Sequence, residues 1–573
     1  MIVIKGIAAS PGIAIGKAYA VENEEIVINR VELADDDKVK DEVRRFKTAL
    51  EATHKDLDAV EERALKTLGK EHARLIDTHR YILRDPLITK DVTKRIQEER
   101  VNAEFALSEA LETVNRAFEQ MKDEFFRERR HDLFDVGKRL LSHLMKKEKR
   151  KFSHIKQPSI LVARNLLPSD TLHMRENNVL GFVTDLGGKT SHTAILAQSM
   201  ELPAVVGLSD ASHRVKTGDG IILDGDQGLV IIHPSPEAIA KYETVRQKSL
   251  REDQVLDGLR GAPAVTADGH RLKMMINIDT PDEVKSVKSL KADGVGLYRT
   301  EYLYLNRDKA PSEEEQAKIY TQVTKCMQGK PIVIRTADIG GDRLTQLGFE
   351  GPKNEINPFM GLRGIRLFLR HSDLLKTQFR AILRAAPHGK VRVMLPMVSS
   401  VMEVRAAHKI FLQAQQELLA EGIKLPKKVP LGIMVEIPSA AVILDLLLEE
   451  VDFISVGTND LIQYILAVDR INEEVAHLYD PFNPAVVRVL KQIVDVSRKK
   501  GVKVTVCGEM TSDPKAVPLL VGLGVDILSV TPRMYLRIKQ IVRSLKMEDM
   551  KSAVAKAMKL ADSDSIRALF GES

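Results

Sequence analysis

Two groups of residues in this sequence have types and spacing that suit phosphate chemistry. The first is the stretch GGKTSHTAILAQS, in which His192 follows two glycines, a lysine, a threonine and a serine at the start of an apolar helical pattern. The N-terminus of a helix offers unpaired N–H groups and a partial positive charge, which favour a neutral imidazole and would stabilise a phosphoryl group attached to it. The simpler alternative is a solvated histidine at a helix start, and this stretch alone leaves both open.

The residues that precede His192 suit either alternative. Thr190 and Ser191 have side chains that can cap a helix beginning near His192. Gly187 and Gly188 allow the backbone to turn tightly and leave room for a bulky group beside the imidazole. The choice between the two alternatives therefore depends on the rest of the chain.

The second group consists of polar residues that follow apolar runs in the second half of the chain. They are Arg299 and Glu301, Arg335 and Asp338, Glu436, Asn459 and Asp460, and Cys507 and Glu509. Arginine suits phosphate or carboxylate oxygens, and the carboxylates of Glu436 and Asp460 suit a magnesium ion that keeps water and substrate oxygens as its other ligands. Each residue alone could form an ordinary salt bridge, helix cap or buried thiol, so the interpretation depends on their convergence.

Eight apolar runs separated by helical patterns predict the fold that would make these residues converge. The runs are RLKMMINI, GVGLYR, PIVIRTAD, VRVMLPM, LGIMVEIP, FISVGTN, KVTVCGE and DILSVTP. This rhythm over residues 262–573 predicts a (β/α)8 TIM barrel, in which active-site residues lie at the C-terminal ends of the strands. An open, doubly wound sheet is the alternative.

The first half of the chain predicts a small α/β domain that is interrupted by helices. Short β runs with glycine turns occupy residues 1–30 and return in residues 151–234. Residues 31–150 instead show a heptad-like apolar pattern, which is typical of a helical bundle. Residues 235–261 predict one long polar linker helix. The predicted fold class is therefore a multidomain α/β protein.

Composition argues against several classes of protein. The 573 residues are 44% hydrophobic and 29% charged, which is typical of a globular chain too long for one ordinary domain. A net charge of +6 without a basic, aromatic-rich stripe argues against a nucleic-acid partner. No apolar run is long enough for membrane insertion, no signal-peptide pattern opens the sequence, and two cysteines form no disulfide framework, so a cytoplasmic protein is expected.

Seven motifs make the sequence resemble one family. The motifs are GGKTSHTAILAQSMELPAVVG, GVGLYRTEYLYLNRD, RTADIGGDR, NPFMGLRGIRL, VEIPSAA, SVGTNDLIQYILAVDR and VCGEM. Over essentially the whole chain they resemble enzyme I of the bacterial phosphotransferase system, the family of phosphoenolpyruvate–protein phosphotransferases. The resemblance implies transfer of the phosphoryl group of phosphoenolpyruvate (PEP) to His192, with release of pyruvate. The group would then pass to a histidine of an HPr-type phosphocarrier, the first step of sugar uptake and phosphorylation by that system.

The resemblance also implies roles for individual residues. The residues that bind PEP would be Arg299, Arg335, Arg363, Asn459, Asp460 and Arg470. Glu436 and Asp460 would hold Mg²⁺, and Cys507 would protonate the enolate to give pyruvate. Thr171 would orient His192. The supporting residues around the histidine would be Gly188, Lys189 and Ser191.

The family's organisation carries over to the predicted domains. Residues 1–30 and 151–234 would form a swivelling phosphohistidine domain, and residues 31–150 would dock HPr. Residues 262–573 would bind PEP and join two chains into a homodimer.

The sequence departs from the family's usual pattern at three positions. Lys189 and Gln198 stand where arginines are usual, and Leu362 stands where a tryptophan is common. Lys189 and Gln198 leave fewer guanidinium groups near His192, which bears on the rate of transfer rather than on the type of reaction.

Two other functions stay open at this point. A pyruvate phosphate dikinase or a PEP synthase shares the histidine domain and the barrel but also needs a nucleotide-binding domain, and no glycine-rich ATP-binding segment precedes the histidine stretch in this sequence. A non-enzymatic adaptor would combine a helical interaction module with a degenerate barrel. Retention of every proposed ligand in the barrel argues against the adaptor.

Overall fold

A computed structural model describes most of the chain. It leaves out residues 22–27, 68–81, 84–85, 120–135, 146–154, 156, 167–177, 189–196, 198–201, 305–306, 308, 342–344, 346, 350–354, 356, 471, 473 and 572–573. The described residues form two compact units, Met1–Arg251 and Glu252–Ser573. Within the described part of the chain, no helix is long and apolar enough to cross a membrane.

The first unit contains an eight-stranded mixed sheet. Its strands are β1 (Ile2–Lys5), β2 (Ile7–Ser10), β3 (Ile13–Ala20), β4 (Ser159–Ala163), β5 (Val179–Thr184), β6 (Ala204–Val206), β7 (Gly220–Asp224) and β8 (Leu229–Ile232). They lie in the order β1-β8-β7-β3-β4-β5-β6-β2. Strand β3 pairs in parallel with β4, with Tyr19 opposite Leu161, so segments from both sides of the helical block form one sheet.

The first unit also contains helices. They are α1 (Asp36–Thr67), α2 (Pro86–Glu99), α3 (Ala103–Glu119), α4 (Ala211–Arg214) and α5 (Pro236–Gly258), which extends into the second unit. Residues 136–144 are also helical. Val39, Phe46 and Leu57 of α1 are buried against residues of α2 and α3, which include Val92 and Leu107. The heptad-like apolar pattern of this segment therefore lies, at these three residues, on the face that α1 buries.

The second unit is built on a closed barrel of eight parallel strands. The strands are β9 (Lys273–Ile278), β10 (Val295–Tyr298), β11 (Pro331–Arg335), β12 (Lys390–Leu395), β13 (Leu431–Val435), β14 (Phe453–Gly457), β15 (Val504–Cys507) and β16 (Ile527–Val530). Each pairs in parallel with its neighbours, and β16 pairs with β9 to close the ring. The eight predicted strands and the barrel are confirmed, and the open sheet is excluded.

Helices surround the barrel and bury the outward-facing residues of its strands. They are α6 (Lys285–Ser289), α7 (Glu313–Cys326), α8 (Gly364–Arg370), α9 (Ser372–Ala385), α10 (Val401–Ala420), α11 (Pro438–Val442), α12 (Leu444–Leu447), α13 (Thr458–Leu466), α14 (Pro484–Lys499), α15 (Val517–Leu523), α16 (Tyr535–Ser544), α17 (Met547–Ala557) and α18 (Ser563–Ala568). Along β11, Ile332 and Ile334 belong to the outer core, whereas Val333 belongs to a separate inner cluster. This alternation is the two-residue period of a strand.

The inner cluster of the barrel is small and close to the candidate site. Its members are Leu297, Val333, Met394, Met434, Phe453 and Cys507. Because these residues come from six successive strands, they fill the barrel as side-chain layers do in this fold. Cys507 ends β15, so the apolar cluster reaches the rim at which that strand ends.

Candidate active site

The rim at the C-terminal ends of the barrel strands collects the polar residues that the sequence singled out. Arg299 directly follows β10, Arg335 ends β11, Glu436 directly follows β13 and Cys507 ends β15. Asp460 lies in the first turn of α13, which begins directly after β14. Since all eight strands run in one direction, these side chains are brought to one end of the barrel, as the fold predicts.

Arg335 is the most enclosed cation of this rim. Its Nη2 donates a hydrogen bond of 2.8 Å to Glu301 Oε1, and its Nη1 lies 3.9 Å from Asp338 Oδ2. Burial alone would lower the pKa of the guanidinium, but the carboxylates of Glu301, Asp338, Glu436 and Asp460 raise it well above its usual range. Arg335 is therefore a permanent positive charge held in a dry environment.

Glu301 also fixes the backbone next to Arg335. The same Oε1 atom that accepts from Arg335 accepts a 2.7 Å hydrogen bond from the N–H of Asp338. Glu301 lies in a short 3-10 helix that directly follows the rim residues of β10, Glu301–Tyr304. One carboxylate oxygen thus joins the end of β10 to the segment that follows β11.

Arg363 is held by the same acidic residue that faces Arg335. Its Nε donates to Asp338 Oδ1 at 3.0 Å and its Nη2 donates to Asp338 Oδ2 at 2.8 Å, which is the bidentate geometry of a strong arginine–carboxylate pair. The guanidinium also lies 5.4 Å from the centre of the Phe359 ring. The next residue, Gly364, has a φ of +54°, and a Cβ there would lie 2.8 Å from Met397, so glycine is needed for this approach.

Glu436 is buried and receives a backbone hydrogen bond. Its Oε1 accepts from the N–H of Met397 at 2.6 Å. Burial raises the pKa of Glu436 well above that of an exposed glutamate, the Asp460 carboxylate raises it further, and Arg335 acts in the opposite direction. Gly457 keeps space open beside this carboxylate, since a Cβ there would lie 2.7 Å from Glu436 Oε2.

Asp460 and Arg470 face each other without a complete hydrogen bond. Arg470 Nη2 lies 3.7 Å from Asp460 Oδ1, beyond hydrogen-bonding distance but within range of an ion pair. Asp460 Oδ1 and Arg470 Nη1 are both buried and have no hydrogen-bond partner among the described residues, and Arg335 Nε shares this property. Two cations and one anion at this rim therefore have unused polar atoms.

Asn459 and Glu509 join the ends of β14 and β15. The Asn459 Nδ2 donates to Glu509 Oε1 at 3.1 Å, and the Glu509 N–H donates to Asn459 Oδ1 at 2.8 Å. Between the strand and Glu509 lies Gly508, whose φ is +106° and whose missing Cβ would meet Thr458 Oγ1 at 2.4 Å. The amide of Asn459 is therefore oriented by a reciprocal pair of bonds.

Cys507 is a buried thiol on the inner side of the rim. Its Sγ accepts a 3.3 Å hydrogen bond from the hydroxyl of Ser455 and lies 3.5 Å from the carbonyl oxygen of Val456. Burial raises the pKa of the Cys507 thiol. A thiol in these surroundings keeps its proton at neutral pH and can act as an acid rather than as a thiolate nucleophile.

The sequence reasoning did not find three residues that hold this rim. Asp279 accepts from Arg299 Nη1 through both oxygens, at 2.9 and 3.2 Å. It directly follows β9, so the rule that found the other rim residues could also have found it. Tyr464 donates to the backbone oxygen of Phe359, and Tyr479 donates to that of Asn459 at 3.4 Å. No pattern in the sequence indicated these tyrosines.

The donor set at the rim fits a divalent cation with few protein ligands. Among the described residues, no group of three or more histidine, cysteine, aspartate or glutamate side chains could hold a metal ion. The Asp460 carboxylate nevertheless raises the pKa of Glu436, and Asp460 Oδ1 is buried with no hydrogen-bond donor among the described residues. A Mg²⁺ ion is commonly bound by one or two carboxylates plus substrate oxygens, so this pair fits such an ion.

The candidate residues of the first unit lie almost entirely outside the described part of the chain. These are Thr171, Lys189, Thr190, Ser191, His192 and Gln198. Gly187 and Gly188 are described. Gly187 has a φ of +115°, which requires glycine, and a Cβ at Gly188 would meet none of the described atoms within 4 Å.

Three family models of PEP-utilising enzymes match this chain. Residues 254–547 match their PEP-binding domain, residues 5–129 their N-terminal domain and residues 155–228 their mobile domain.

Curated relatives extend the similarity to the whole chain. A phosphoenolpyruvate-protein phosphotransferase from Listeria monocytogenes is 42% identical over 563 residues, covering 98% of this chain and 98% of the relative. One from Bacillus subtilis strain 168 is 40% identical over 570 residues, covering 100% and 99%. A solution structure described as Enzyme I is 40% identical and covers 43% of this chain and 99% of its own, with a TM-score of 0.38.

Proposed function

Because the chain belongs to the phosphoenolpyruvate-protein phosphotransferase family, we propose that the barrel rim binds PEP and that His192 accepts its phosphoryl group. The protein catalyses the first phosphoryl transfer of the phosphotransferase system, from PEP towards a phosphocarrier.

The proposal for the substrate site rests on buried polar atoms of the rim that have no hydrogen-bond partner among the described residues. Arg335 Nε and Arg470 Nη1 are buried donors without acceptors among the described residues, and Asp460 Oδ1 is a buried acceptor without a donor. Leaving such groups unpaired costs free energy unless a ligand satisfies them. An anionic substrate that arrives with a cation supplies the missing acceptors and the missing positive charge together.

The arginines of the rim would interact with PEP in two different ways. Arg299 is partly exposed and its carboxylate partner Asp279 is more exposed, so Arg299 can exchange this partner for a substrate oxygen at little cost. Arg335 and Arg363 are buried and fixed by Glu301 and Asp338, so they supply a preorganised positive field. Phosphoryl transfer depends mainly on such positioning and charge neutralisation.

Asn459 and Arg470 would complete the substrate site. The Asn459 amide is oriented by its reciprocal bonds to Glu509, and Arg470 Nη1 is a buried nitrogen without an acceptor in the described part of the chain. Both residues lie on or just after α13, the helix that begins after β14. The segment from Asn459 to Arg470 thus carries a neutral amide donor, a guanidinium donor and the Asp460 carboxylate.

PEP-utilising enzymes act with a metal ion, and Mg²⁺ is the proposed ion here. Glu436 and Asp460 would hold it. When bound, the ion supplies positive charge to the phosphoryl and carboxylate oxygens of PEP. Its charge would also favour the ionised form of both carboxylates, which their burial and mutual repulsion oppose.

The chemical step requires a nucleophile that accepts the phosphoryl group and an acid that protonates the enolate carbon. The P–O bond of PEP breaks as a P–N bond forms to the imidazole of His192, and the remaining enolate takes a proton at its methylene carbon to give pyruvate. The thiol of Cys507 is the proposed donor of that proton. It is protonated at neutral pH because burial raises its pKa, and the Ser455 hydroxyl can donate to the thiolate that is left.

The second transfer involves the first unit of the protein. His192 would pass its phosphoryl group to a histidine of an HPr-type carrier that docks on the helical segment 31–150, after the domain formed by residues 1–30 and 151–234 has swivelled about the linker 235–261. Thr171 would orient His192. The residues that would support its phosphorylated form are Gly188, Lys189 and Ser191. Free cysteines suit the reducing cytoplasm in which this exchange would take place.

The barrel is also the proposed site of dimerisation. Met402 on α10, Val442 on α11 and Leu446 on α12 are 68%, 69% and 51% exposed. Helix α12 packs against both α10 and α11, so the three residues belong to adjoining elements. Large apolar side chains that cluster on a surface indicate a protein interface, and a second copy of residues 262–573 is the proposed partner.

Incubation of the purified protein with PEP labelled on phosphorus, with and without Mg²⁺ and an HPr-type carrier, tests the proposal. We expect an acid-labile phosphoprotein, pyruvate release and transfer to the carrier, none of which needs ATP or AMP. His192→Ala should abolish labelling but leave PEP binding largely intact, because the substrate site lies on the barrel. Labelling of the His192→Ala protein in comparable yield would exclude His192 as the acceptor, and a requirement for ATP or AMP would instead indicate a dikinase or PEP synthase.

A further inference from the structure

A buried chain of hydrogen bonds connects two helices outside the barrel to the rim. At its centre is Gln378 of α9, which is 0% exposed. Its Oε1 accepts a 3.1 Å hydrogen bond from the N–H of Ala337, and its Nε2 donates to Thr300 Oγ1 and to Tyr320 Oη, both at 3.0 Å. All three polar contacts of the side chain are therefore made inside the protein.

The donors and acceptors of this hydrogen-bond network allow only one arrangement. The N–H of Ala337 can only donate, so the carboxamide of Gln378 must present its oxygen there and its two N–H groups to the hydroxyls. Thr300 then donates to the backbone oxygen of Arg335 at 2.8 Å, and Tyr320 donates to Gln316 Oε1 at 3.1 Å. A buried network in which every hydrogen has one acceptor is rigid.

Two residues that Gln378 contacts in this hydrogen-bond network are adjacent in sequence to residues of the proposed substrate site. Thr300 lies between Arg299, which follows β10, and Glu301, which binds Arg335. Ala337 directly precedes Asp338, whose carboxylate binds Arg363 in a bidentate pair. The Gln378 side chain is thus connected to the backbone on both sides of the contact between β10 and β11.

Packing alone does not explain a glutamine at this position. The neighbouring residues that α9 buries in the same core are apolar, and they include Leu375, Phe379 and Ile382. An apolar residue of similar volume would fill the space without the cost of burying a carboxamide. The carboxamide must therefore serve its polar contacts.

We infer that Gln378 is a positioning residue that holds the backbone at the ends of β10 and β11 so that Arg299, Arg335 and Arg363 keep the spacing that PEP requires. This inference rests on the proposed substrate site. Gln378 does not touch the substrate and acts through Thr300 and Ala337. The hydrogen-bond network also extends away from the substrate site to Tyr320 of α7. A substitution at Tyr320 therefore provides a matched control.

Three single variants of the full-length protein separate positioning from general stability. Gln378→Met keeps the volume and removes all three contacts, whereas Thr300→Val keeps the β-branched shape and removes both hydrogen bonds of the hydroxyl, the one from Gln378 and the one to the Arg335 carbonyl. Tyr320→Phe removes a hydroxyl at the far end and leaves the bonds of Gln378 to Thr300 and Ala337 in place. Each variant is assayed for pyruvate release as a function of PEP concentration, and its melting temperature is measured on the same preparation.

We expect Gln378→Met and Thr300→Val to raise the KM for PEP by about tenfold, with a smaller change in kcat, because the substrate-binding arginines move while Cys507 is not displaced. Tyr320→Phe should lower the melting temperature and leave the KM near that of the unmodified protein. If Gln378→Met does not fold, Thr300→Val against Tyr320→Phe gives the same comparison.

Two outcomes would overturn the inference. The first is a KM for PEP that is unchanged in folded Gln378→Met or in Thr300→Val. The second is a rise in KM that is as large in Tyr320→Phe as in the other two, which would mean that the network only stabilises the barrel. Failure of the unmodified protein to release pyruvate in the same assay would instead count against the proposed function, so the two failures are distinguishable.

Discussion

The hydroxyl of Ser455 lies 3.3 Å from the thiol sulfur of Cys507, on the neighbouring strand of the barrel. The hydroxyl donates to the sulfur, and the thiol in turn lies within 3.5 Å of the carbonyl oxygen of Val456. Both side chains are almost completely buried. The thiol therefore has a hydrogen-bond donor that can stabilise its conjugate base, in a position where burial otherwise opposes ionisation.

This arrangement makes Cys507→Ser a test of the proton donor. A serine hydroxyl is a far weaker acid than a thiol, so we expect pyruvate formation to fall by at least about a hundredfold, the usual contribution of a general acid. PEP binding should change little, because Cys507 is not among the proposed ligands of the substrate. Turnover, PEP affinity and melting temperature are measured on one preparation, with Cys326→Ser at an exposed position as the control.

The opposite result would assign Cys507 to packing. The shorter C–O bond of a serine would draw its hydroxyl away from Ser455 and from the Val456 carbonyl, which would lower the free energy of unfolding by about 1–3 kcal/mol yet leave the turnover of each folded molecule near normal. The proton would then have to come from water or from Glu509, which lies two residues further along the same rim.

The pH dependence of thiol modification gives a second prediction for Cys507. Thiolate is the reactive form, and burial raises the pKa of this thiol, so its modification by iodoacetamide should be slow at neutral pH and should increase only at alkaline pH. Poor access to the buried sulfur lowers the rate at every pH, whereas the raised pKa moves the midpoint of the profile upward. The measurement uses Cys326→Ser protein, in which Cys507 is the remaining cysteine.

Unfolded Cys326→Ser protein is the control for the thiol profile. Its midpoint should lie below that of the folded protein, because unfolding removes the burial that opposes ionisation. A folded protein that reacts rapidly and independently of pH near neutrality would contain a thiolate at Cys507. A thiolate has no proton to give, so that result would remove Cys507 as the acid.

Asp338 is predicted to matter for both stability and substrate binding, since it holds Arg363 through two hydrogen bonds and faces Arg335. Asp338→Asn leaves two buried guanidinium groups short of negative charge, and breaking a buried pair in this way costs about 3–5 kcal/mol. We expect a lower denaturant midpoint for the barrel and a higher KM for PEP. Binding of PEP, which restores negative charge, should recover part of the lost stability.

A surface pair provides the control for Asp338→Asn. Arg405 donates to Glu450 Oε1 at 2.9 and 2.7 Å through two nitrogens, but Arg405 is exposed to solvent. Glu450→Gln should leave the denaturant midpoint and the KM almost unchanged, because water screens such pairs. Equal effects of the two substitutions would contradict the view that the Asp338 pair is buried and specific.

The barrel and its polar rim could be predicted from the sequence because both follow from short-range patterns. Apolar runs of four to six residues gave the strands, and parallel strands place whatever follows them at one edge. Asp279 obeys the same rule, since it directly follows β9.

The partners of the rim residues could not be predicted in this way. Glu301 and Asp338 both follow strands, but that Glu301 Oε1 serves Arg335 and the N–H of Asp338 at once depends on how two loops pack. Gln378 appears in the sequence as a polar residue on an amphipathic helix, and its complete burial depends on tertiary contacts between α7, α9 and the barrel. Residue type and spacing carry no information about such contacts.

Two fragments of the second unit test where the barrel unit begins. Residues 262–573 should fold, dimerise and bind PEP with Mg²⁺, but the structure indicates that a fragment from residue 252 is the more stable one. Lys539 is 3% exposed, burial lowers its pKa, and its Nζ donates to the backbone oxygens of Leu259 and Arg260 at 3.3 and 3.4 Å. A fragment that begins at residue 262 lacks both acceptors, so the ammonium group exchanges these hydrogen bonds for water and keeps the Tyr535 ring, whose centre lies 4.8 Å away, at a cost on the order of 1 kcal/mol. We therefore expect a lower melting temperature for 262–573 than for 252–573, with similar PEP affinity because these contacts are not part of the rim.

Lys539→Met in the longer fragment removes the ammonium group itself. If the shorter fragment is destabilised because Lys539 has lost these two hydrogen bonds, the same substitution in 262–573 should recover most of the loss, whereas equal melting temperatures of the two unmodified fragments would show that residues 252–261 do not contribute to the barrel.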